Sequence, residues 1–443
     1  MNLDSFQREP FLEFLTASST AAIAADRIES ILHEHDYERY SESETWSVAA
    51  GDRFYVRRGA GGLLAVKVGN ESLETAGFRI AAAHSDSPAL KLKPRGAKRK
   101  NGGLYVPVEV YGAPILSTWI DRELILTGRA VLRAGDSLIV RSFRAGQPAA
   151  VIPNLAIHLN REVNKGFEYN AQDHLQVRLA VDRDRSNAPG HDESNHEAGE
   201  EIITSEIASI LSCDPEEIVS MDVFVADPSP AVMLADGRTF VSGRIDNLAG
   251  CYSCLAGFLA SQDDRTTKVL AVFDNEEIGS RTSGGADSGF LESVLLRLAG
   301  GDPASLARSC ARSLLVSNDG AHALHDGFAS KYDESYAPVL GGGVAIKTNA
   351  SYRYASTSEA VAVTREVARR ADIPLQYLAG RSDMRTGSTI GPFAWSRTGM
   401  ASVDLGVPML AMHSIRETAR IDDVERLSTL IGELLAVNEE MLP

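Results

Sequence analysis

The run Ala271-Val272-Phe273-Asp274-Asn275-Glu276-Glu277-Ile278-Gly279 constrains this chain more than any other. An apolar stretch with the character of a buried strand ends abruptly in two adjacent carboxylates. Like charges at a strand end repel, so a compensating partner is required. One economical arrangement puts Glu277 on a cation and a proton on Glu276, giving a hydrolase a metal ligand beside a general base. Other polar groups repeat the pattern. His84 and Asp86 follow the apolar run 78–83, and Asp319 follows the run 313–318. Asp246 lies in Ser242-Gly243-Arg244-Ile245-Asp246-Asn247, and His413 in Met412-His413-Ser414-Ile415-Arg416-Glu417. In an open α/β sheet, ligands bind beyond the carboxyl ends of the strands, so loops distant in sequence converge on one site.

At 443 residues the chain is long for one core and is expected to form two or three domains. Its net charge of −16 argues against nucleic acid or an anionic membrane as partner. An acidic substrate would have to be held by a local basic residue against that field. No apolar stretch approaches the ~20 residues of a membrane span. The first ten residues lack a signal-peptide pattern, and four cysteines do not make a disulfide framework. These points favour the cytoplasm. Cys251 and Cys254 form a C-x-x-C pair, but they lie in an apolar helical stretch behind Asp246 and read as packing residues.

Residues 3–18 and 20–36 read as helices, and 53–68 as a hairpin turning at Gly59, Gly61 and Gly62. From about residue 89 a basic stretch gives way to β-rich segments at 104–111, 124–129 and 137–140. Residues 182–200 read as an exposed polar loop, with His191 and His196 solvated rather than metal-bound. An α/β pattern resumes after residue 235: helices near 248–261, 286–299, 356–371 and 422–441, and strands at 268–274, 313–318 and 401–405. Candidate ligands fall before residue 89 and after residue 240. The β-rich middle is therefore expected to be a domain inserted into an α/β domain.

Two histidines and three carboxylates (His84, His413, Asp246, Glu277, Asp319), with Glu276 spare, suit two divalent cations ~3.5–4 Å apart. Mixed imidazole and carboxylate donors suit zinc, with manganese or cobalt as substitutes. Asp86, two residues beyond His84, could orient the imidazole or simply form a salt bridge.

On these motifs the chain resembles the aspartyl aminopeptidase family of dinuclear zinc exopeptidases, from about residue 10 to residue 435. The matching segments include Ala83-His84-Ser85-Asp86-Ser87-Pro88, Thr118-Trp119-Ile120-Asp121-Arg122, Ala156-Ile157-His158-Leu159 and Asp274-Asn275-Glu276-Glu277-Ile278-Gly279-Ser280. They also include Asn318-Asp319, Ala321-His322-Ala323, Gly387-Ser388-Thr389-Ile390-Gly391-Pro392 and Ala411-Met412-His413-Ser414-Ile415-Arg416-Glu417.

The resemblance implies that His84 and Asp319 bind one zinc, that Glu277 and His413 bind the other, and that Asp246 bridges them. Glu276 would be the general base and Asp86 would support His84. His158 would enter the active site of a neighbouring subunit. His322, Lys347 and Tyr354 would face substrate. Lys347 lies in the strand-like run 343–349, where a basic side chain is oddly placed unless it reaches a cavity. The sequence departs from the family pattern at Gly320, where a larger residue is expected, and at Arg385-Thr386, where proline and cysteine are more usual.

The implied fold is a three-layer α/β/α zinc-peptidase domain, about 1–90 and 233–443, with a β-rich oligomerisation domain, about 91–232, inserted. The implied assembly is a tetrahedral homododecamer, and the implied substrates are peptides with an acidic first residue, selected chiefly by Lys347 with metal binding left untouched. Two other readings remain open at this level: a related dinuclear-metal carboxypeptidase or amide deacylase, and a non-catalytic cage protein.

Overall fold

The computed structural model describes residues 6–100, 103–180 and 196–442. Two compact units result. The first comprises residues 1–87, 230–412 and 417–443, and the second residues 88–229 with the short segment His413–Arg416.

The first unit is built on a nine-stranded sheet in the order Glu38–Arg39, Arg53–Arg58, Gly62–Lys67, Thr267–Phe273, Phe78–His84, Leu314–Asn318, Ala401–Gly406, Val344–Lys347, Leu375–Leu378. The four strands Thr267–Phe273, Phe78–His84, Leu314–Asn318 and Ala401–Gly406 run parallel. Their side chains alternate between the two faces, as a pleated strand requires. Ala81, Ala83, Leu270, Val272 and Val316 pack on one face against the helices Arg8–Ala17, Ala21–Glu34, Ile245–Ala260, Ser358–Arg370 and Ile421–Leu435. Ile80, Ala82, Val269, Ala271 and Leu315 pack on the other against Phe290–Leu298 and Ile390–Thr398. Both faces are covered, which explains why these strands read as mostly apolar runs rather than as apolar–polar alternation. A separate five-stranded sheet joins Val232–Met233, Thr239–Ser242, Glu417–Arg420, Pro408–Leu410 and Ala321–His322.

The second unit is an eight-stranded sheet with a core of its own, and its pairings are antiparallel. The helix His196–Leu211 lays Ile203, Ile207 and Leu211 on this core, one turn apart along one stripe. This corrects the loop expected at 182–200. Residues 196–200 are helical. The remainder of that loop, with His191, lies outside the described residues. The last helix stops at Leu435 rather than 441. Beyond it the buried Arg79 guanidinium donates to the Val437 carbonyl at 2.8 Å, holding the chain out of helical register. Among the described residues no helix is long and apolar enough to cross a membrane.

Candidate metal centre

Three adjacent parallel strands bring the site together. Phe78–His84 pairs on one side with Thr267–Phe273, so that His84 stands level with Phe273, and on the other with Leu314–Asn318. The chain leaving each strand at its carboxyl end therefore delivers His84, Glu276-Glu277 and Asp319 to one edge. Asp246 arrives from the start of the helix that follows Thr239–Ser242. His84 Nε2 lies 3.3 Å from Asp319 Oδ1 and 3.5 Å from Asp246 Oδ1. Donor atoms of His84, Asp246 and Asp319 all lie within 4.8 Å of one another, and the same holds for His84, Glu276 and Glu277. His84, Asp246 and Asp319 are buried.

His84 Nδ1 sits 3.1 Å from the Asp86 carbonyl oxygen, which can only accept. The ring proton therefore belongs on Nδ1, and Nε2 turns its lone pair toward Asp246 and Asp319, as a metal-binding imidazole requires. Asp86 does more than the sequence suggested. Its Oδ1 lies 3.3 Å from His84 Nδ1 and accepts the Glu276 backbone N–H at 3.0 Å. Its Oδ2 accepts the Glu277 backbone N–H at 3.1 Å. One buried carboxylate thus fixes the imidazole and the two-glutamate turn together.

With protein groups alone this cluster carries an excess of negative charge. Burial disfavours a charged imidazolium, yet hydrogen bonds to Asp246, Asp319 and Asp86 outweigh it and push the His84 pKa well up. Burial first, and then Asp319, Asp86 and Asp246, push the Glu276 carboxyl up to about 8. A divalent cation relieves both strains by taking the place of the protons. The donor set, one imidazole among oxygen ligands in a buried cluster, fits zinc.

The turn beneath is tightly packed. Asp274 Oδ2 accepts the Gly61 N–H at 2.8 Å. A Cβ on Gly61 would collide with Ser85 Oγ and the Ala21 methyl. Gly61, expected only as a hairpin-turn residue, is therefore also a close-approach position under the site.

Lys347 ends the strand Val344–Lys347 as a buried cation. Its Nζ donates to Asp319 Oδ2 at 3.2 Å and to the Gly320 carbonyl at 2.8 Å, and lies 5.0 Å from the Tyr354 ring centre. Burial works against this ammonium, but Asp319 foremost outweighs it and holds its pKa above the ordinary lysine range. Lys347 is bonded directly to Asp319, a contact that bears on the expectation that its loss leaves metal binding untouched. His322 is an exposed strand residue. The space where a larger residue than Gly320 was expected is filled by Met409 and Met412, whose methyls would each stand 2.8 Å from an added Cβ. Thr386 accepts a hydrogen bond from Asn349 Nδ2 at 3.1 Å.

In the second unit, His158 lies on an exposed turn among the exposed Leu155, Ile157 and Leu159. His413 belongs to that unit too, with Nδ1 3.0 Å from the Ala113 carbonyl. Cys251 and Cys254 are fully buried, and the Cys251 thiol donates to the His84 carbonyl at 2.9 Å. Burial raises the Cys251 pKa to about 12, so the pair is packing and not redox machinery.

Glu417 went unassigned at the sequence level. It is buried and its Oε2 accepts the Asp246 backbone N–H at 3.0 Å. Its signal was present: an acidic residue inside a short strand, in a motif that already carried the resemblance.

A buried cluster of imidazole and carboxylates at the carboxyl edge of a three-layer α/β/α sheet is the arrangement of a metallohydrolase. The family model described as "Aminopeptidase I zinc metalloprotease (M18)" matches residues 14–434. "Probable M18 family aminopeptidase 2" of Pseudomonas aeruginosa (strain UCBPP-PA14) is 38% identical over 432 residues, covering 97% of each chain. A chain in "Cryo-EM structure of the Ape4 and Nbr1 complex" superposes with a TM-score of 0.93 at 32% identity, covering 98% of this chain and 87% of that one. A chain of "Structure of S. cerevesiae mApe1 dodecamer" shares the fold at a TM-score of 0.82 and 23% identity, covering 98% and 97%. This chain belongs to the M18 family of zinc aminopeptidases. The carboxypeptidase and deacylase reading is set aside accordingly.

Proposed function

We propose that this M18 enzyme removes N-terminal aspartate and glutamate from peptides, using two zinc ions per chain. His84 and Asp319 would hold one ion, Glu277 and His413 the other, and Asp246 would bridge them. Zinc bound there supplies Lewis acidity toward the peptide carbonyl and the attacking water. Glu276 takes a proton from that water as its oxygen adds to the carbonyl carbon. It returns the proton to the nitrogen as the C–N bond breaks, so the amine leaves neutral. Asp86 keeps Glu276 in reach through its backbone amide, and Glu417 supports Asp246 in the same way.

The observation that carries the acidic preference is the buried ammonium of Lys347. Two of its three N–H bonds are used by Asp319 and the Gly320 carbonyl, leaving one for a substrate carboxylate. A charge-assisted contact of that kind contributes about 1.5–3 kcal/mol, or roughly ten- to a hundredfold in kcat/KM. The second unit would serve oligomerisation, presenting His158 to a neighbouring subunit. The apolar side chains exposed around it support burial against another copy. A homododecamer is the assembly that the family resemblance implies.

The test is a panel of Asp-, Glu-, Ala- and Leu-p-nitroanilides at saturating zinc. The wild type should prefer acidic residues, and Lys347→Met should lose that preference. A wild type that favours neutral residues would overturn the assignment.

A further inference from the structure

The strand Ala401–Gly406 carries a carboxylate, Asp404, that is fully buried and lies outside the metal cluster. An unneeded buried carboxylate is costly, since a neutral side chain of the same shape avoids the desolvation. Its partners show what it holds. Asp404 Oδ2 accepts the backbone N–H of Ala355, the residue after Tyr354, and the Thr389 hydroxyl at 3.0 Å. The Asp404 backbone N–H donates to Ser356 Oγ at 3.1 Å, and that hydroxyl donates to the Lys347 carbonyl at 2.6 Å. A single residue therefore reaches the segment carrying Tyr354 by its side chain and the strand end carrying Lys347 through Ser356.

The far side of the carboxylate is closed by the helix Ile390–Thr398. Thr389 caps that helix by accepting the Gly391 N–H at 3.3 Å. A Cβ on Gly391 would stand 2.5 Å from Asp404 Oδ2, so glycine is required for this approach. The segment between Lys347 and Ser356 is pinned at its outer side as well. Asn349 donates to Thr386 at 3.1 Å, and Ser388 donates to the Arg353 carbonyl at 3.2 Å. Asp404 and Thr389 are the buried polar side chains of this set.

We propose that Asp404 is the positioning residue of the acidic-residue pocket, fixing Lys347 and Tyr354 relative to one another through Ser356 and Ala355. This rests on the reading of Lys347 and Tyr354 as substrate-facing. Asp404 does not itself touch substrate.

The test uses the full-length enzyme with Asp404→Ala, Ser356→Ala and Lys347→Met side by side. Each is assayed for kcat/KM on Asp- and Ala-p-nitroanilide, and for thermal unfolding. Asp404→Ala, which removes the oxygen that accepts from Ala355 and Thr389, and Ser356→Ala should each lower the Asp-over-Ala preference by roughly threefold to tenfold, a part of what the charge-assisted contact provides. Ser356→Ala removes only a hydroxyl, so it remains informative should Asp404→Ala fold poorly. A merely structural role would lower the unfolding temperature and leave the preference at its wild-type value, which would overturn the proposal. If Lys347→Met abolishes the preference while both other variants keep it, the positioning inference alone fails. If Lys347→Met leaves the preference intact, the acidic-pocket reading fails and this inference falls with it.

Discussion

Replacing Asp86 by asparagine tests how the site is held together. The carboxylate has two oxygens and uses each on a separate backbone amide, Glu276 at 3.0 Å and Glu277 at 3.1 Å, while Oδ1 also faces His84 Nδ1 at 3.3 Å. A carboxamide offers one acceptor oxygen. In Asp86→Asn one amide must therefore face an NH2 group, donor against donor, in a buried setting. An unsatisfied buried donor costs about 1–3 kcal/mol, and hydrogen bonds to a charged acceptor contribute about 1.5–3 kcal/mol. The turn can escape the clash only by moving the glutamates, so the loss falls on the assembled site rather than on the fold. Turnover should fall by about tenfold to a hundredfold, and zinc affinity by a similar factor, as is usual for groups that orient metal ligands. The assay is kcat on Asp-p-nitroanilide together with zinc content after dialysis against buffered free zinc. If both stay within about twofold of wild type, Asp86 does not organise the turn and the reasoning is refuted.

Lys347→Met removes the cation bonded to Asp319, so it should retain less zinc than wild type after dialysis, besides losing its acidic preference; wild-type zinc retention would show that Asp319 needs no such partner. His158→Phe and Glu276→Gln chains, each inactive alone, should regain some activity in verified mixed oligomers, because some sites would combine an intact base with an intact neighbour's histidine; no recovery would count against a shared site. Lys268 is fully buried with Nζ donating to the Asp263 carbonyl, and burial pulls its pKa from 10.5 down to about 8. Between those values the unfolded chain holds a proton that the folded chain lacks, so stability contributed at this position rises with pH across the window. Lys268→Met should therefore be more stable than wild type at pH 7, by about 1–2 kcal/mol in unfolding free energy after the lost hydrogen bond is deducted, and that advantage should shrink toward about pH 10; a pH-independent difference would contradict it.

Much of the first unit was legible because burial on both faces of a parallel sheet leaves a plain signature. The runs ending at Ala83, Phe273 and Asn318 are mostly apolar, broken by Arg79 and Lys268 near the start of the first two and by Ser317 and Asn318 at the end of the third, and the polar group that follows each lands at the same sheet edge. The two-glutamate turn was readable for the same reason. Elements whose identity depends on partners were less so. The helix His196–Leu211 begins with a polar stretch and acquires its face only by packing on the second sheet. The small sheet pairs two- to four-residue strands, too short to show a period. The backbone contacts of the positioning groups were hidden for a further reason. Asp86, Glu417 and Asp404 act on backbone amides of residues distant in sequence, and no spacing rule announces such a contact. Lys347 gave half its role away, as a cation ending an apolar strand, but its bond to Asp319 needed the fold.

The central claim is that Glu276 carries the proton in a centre that other residues assemble. Turnover of Glu276→Gln, measured at a determined zinc content, tests it most directly. The account predicts close to wild-type zinc with kcat lower by about 10²–10⁴; near-normal turnover by the zinc-loaded variant would contradict it.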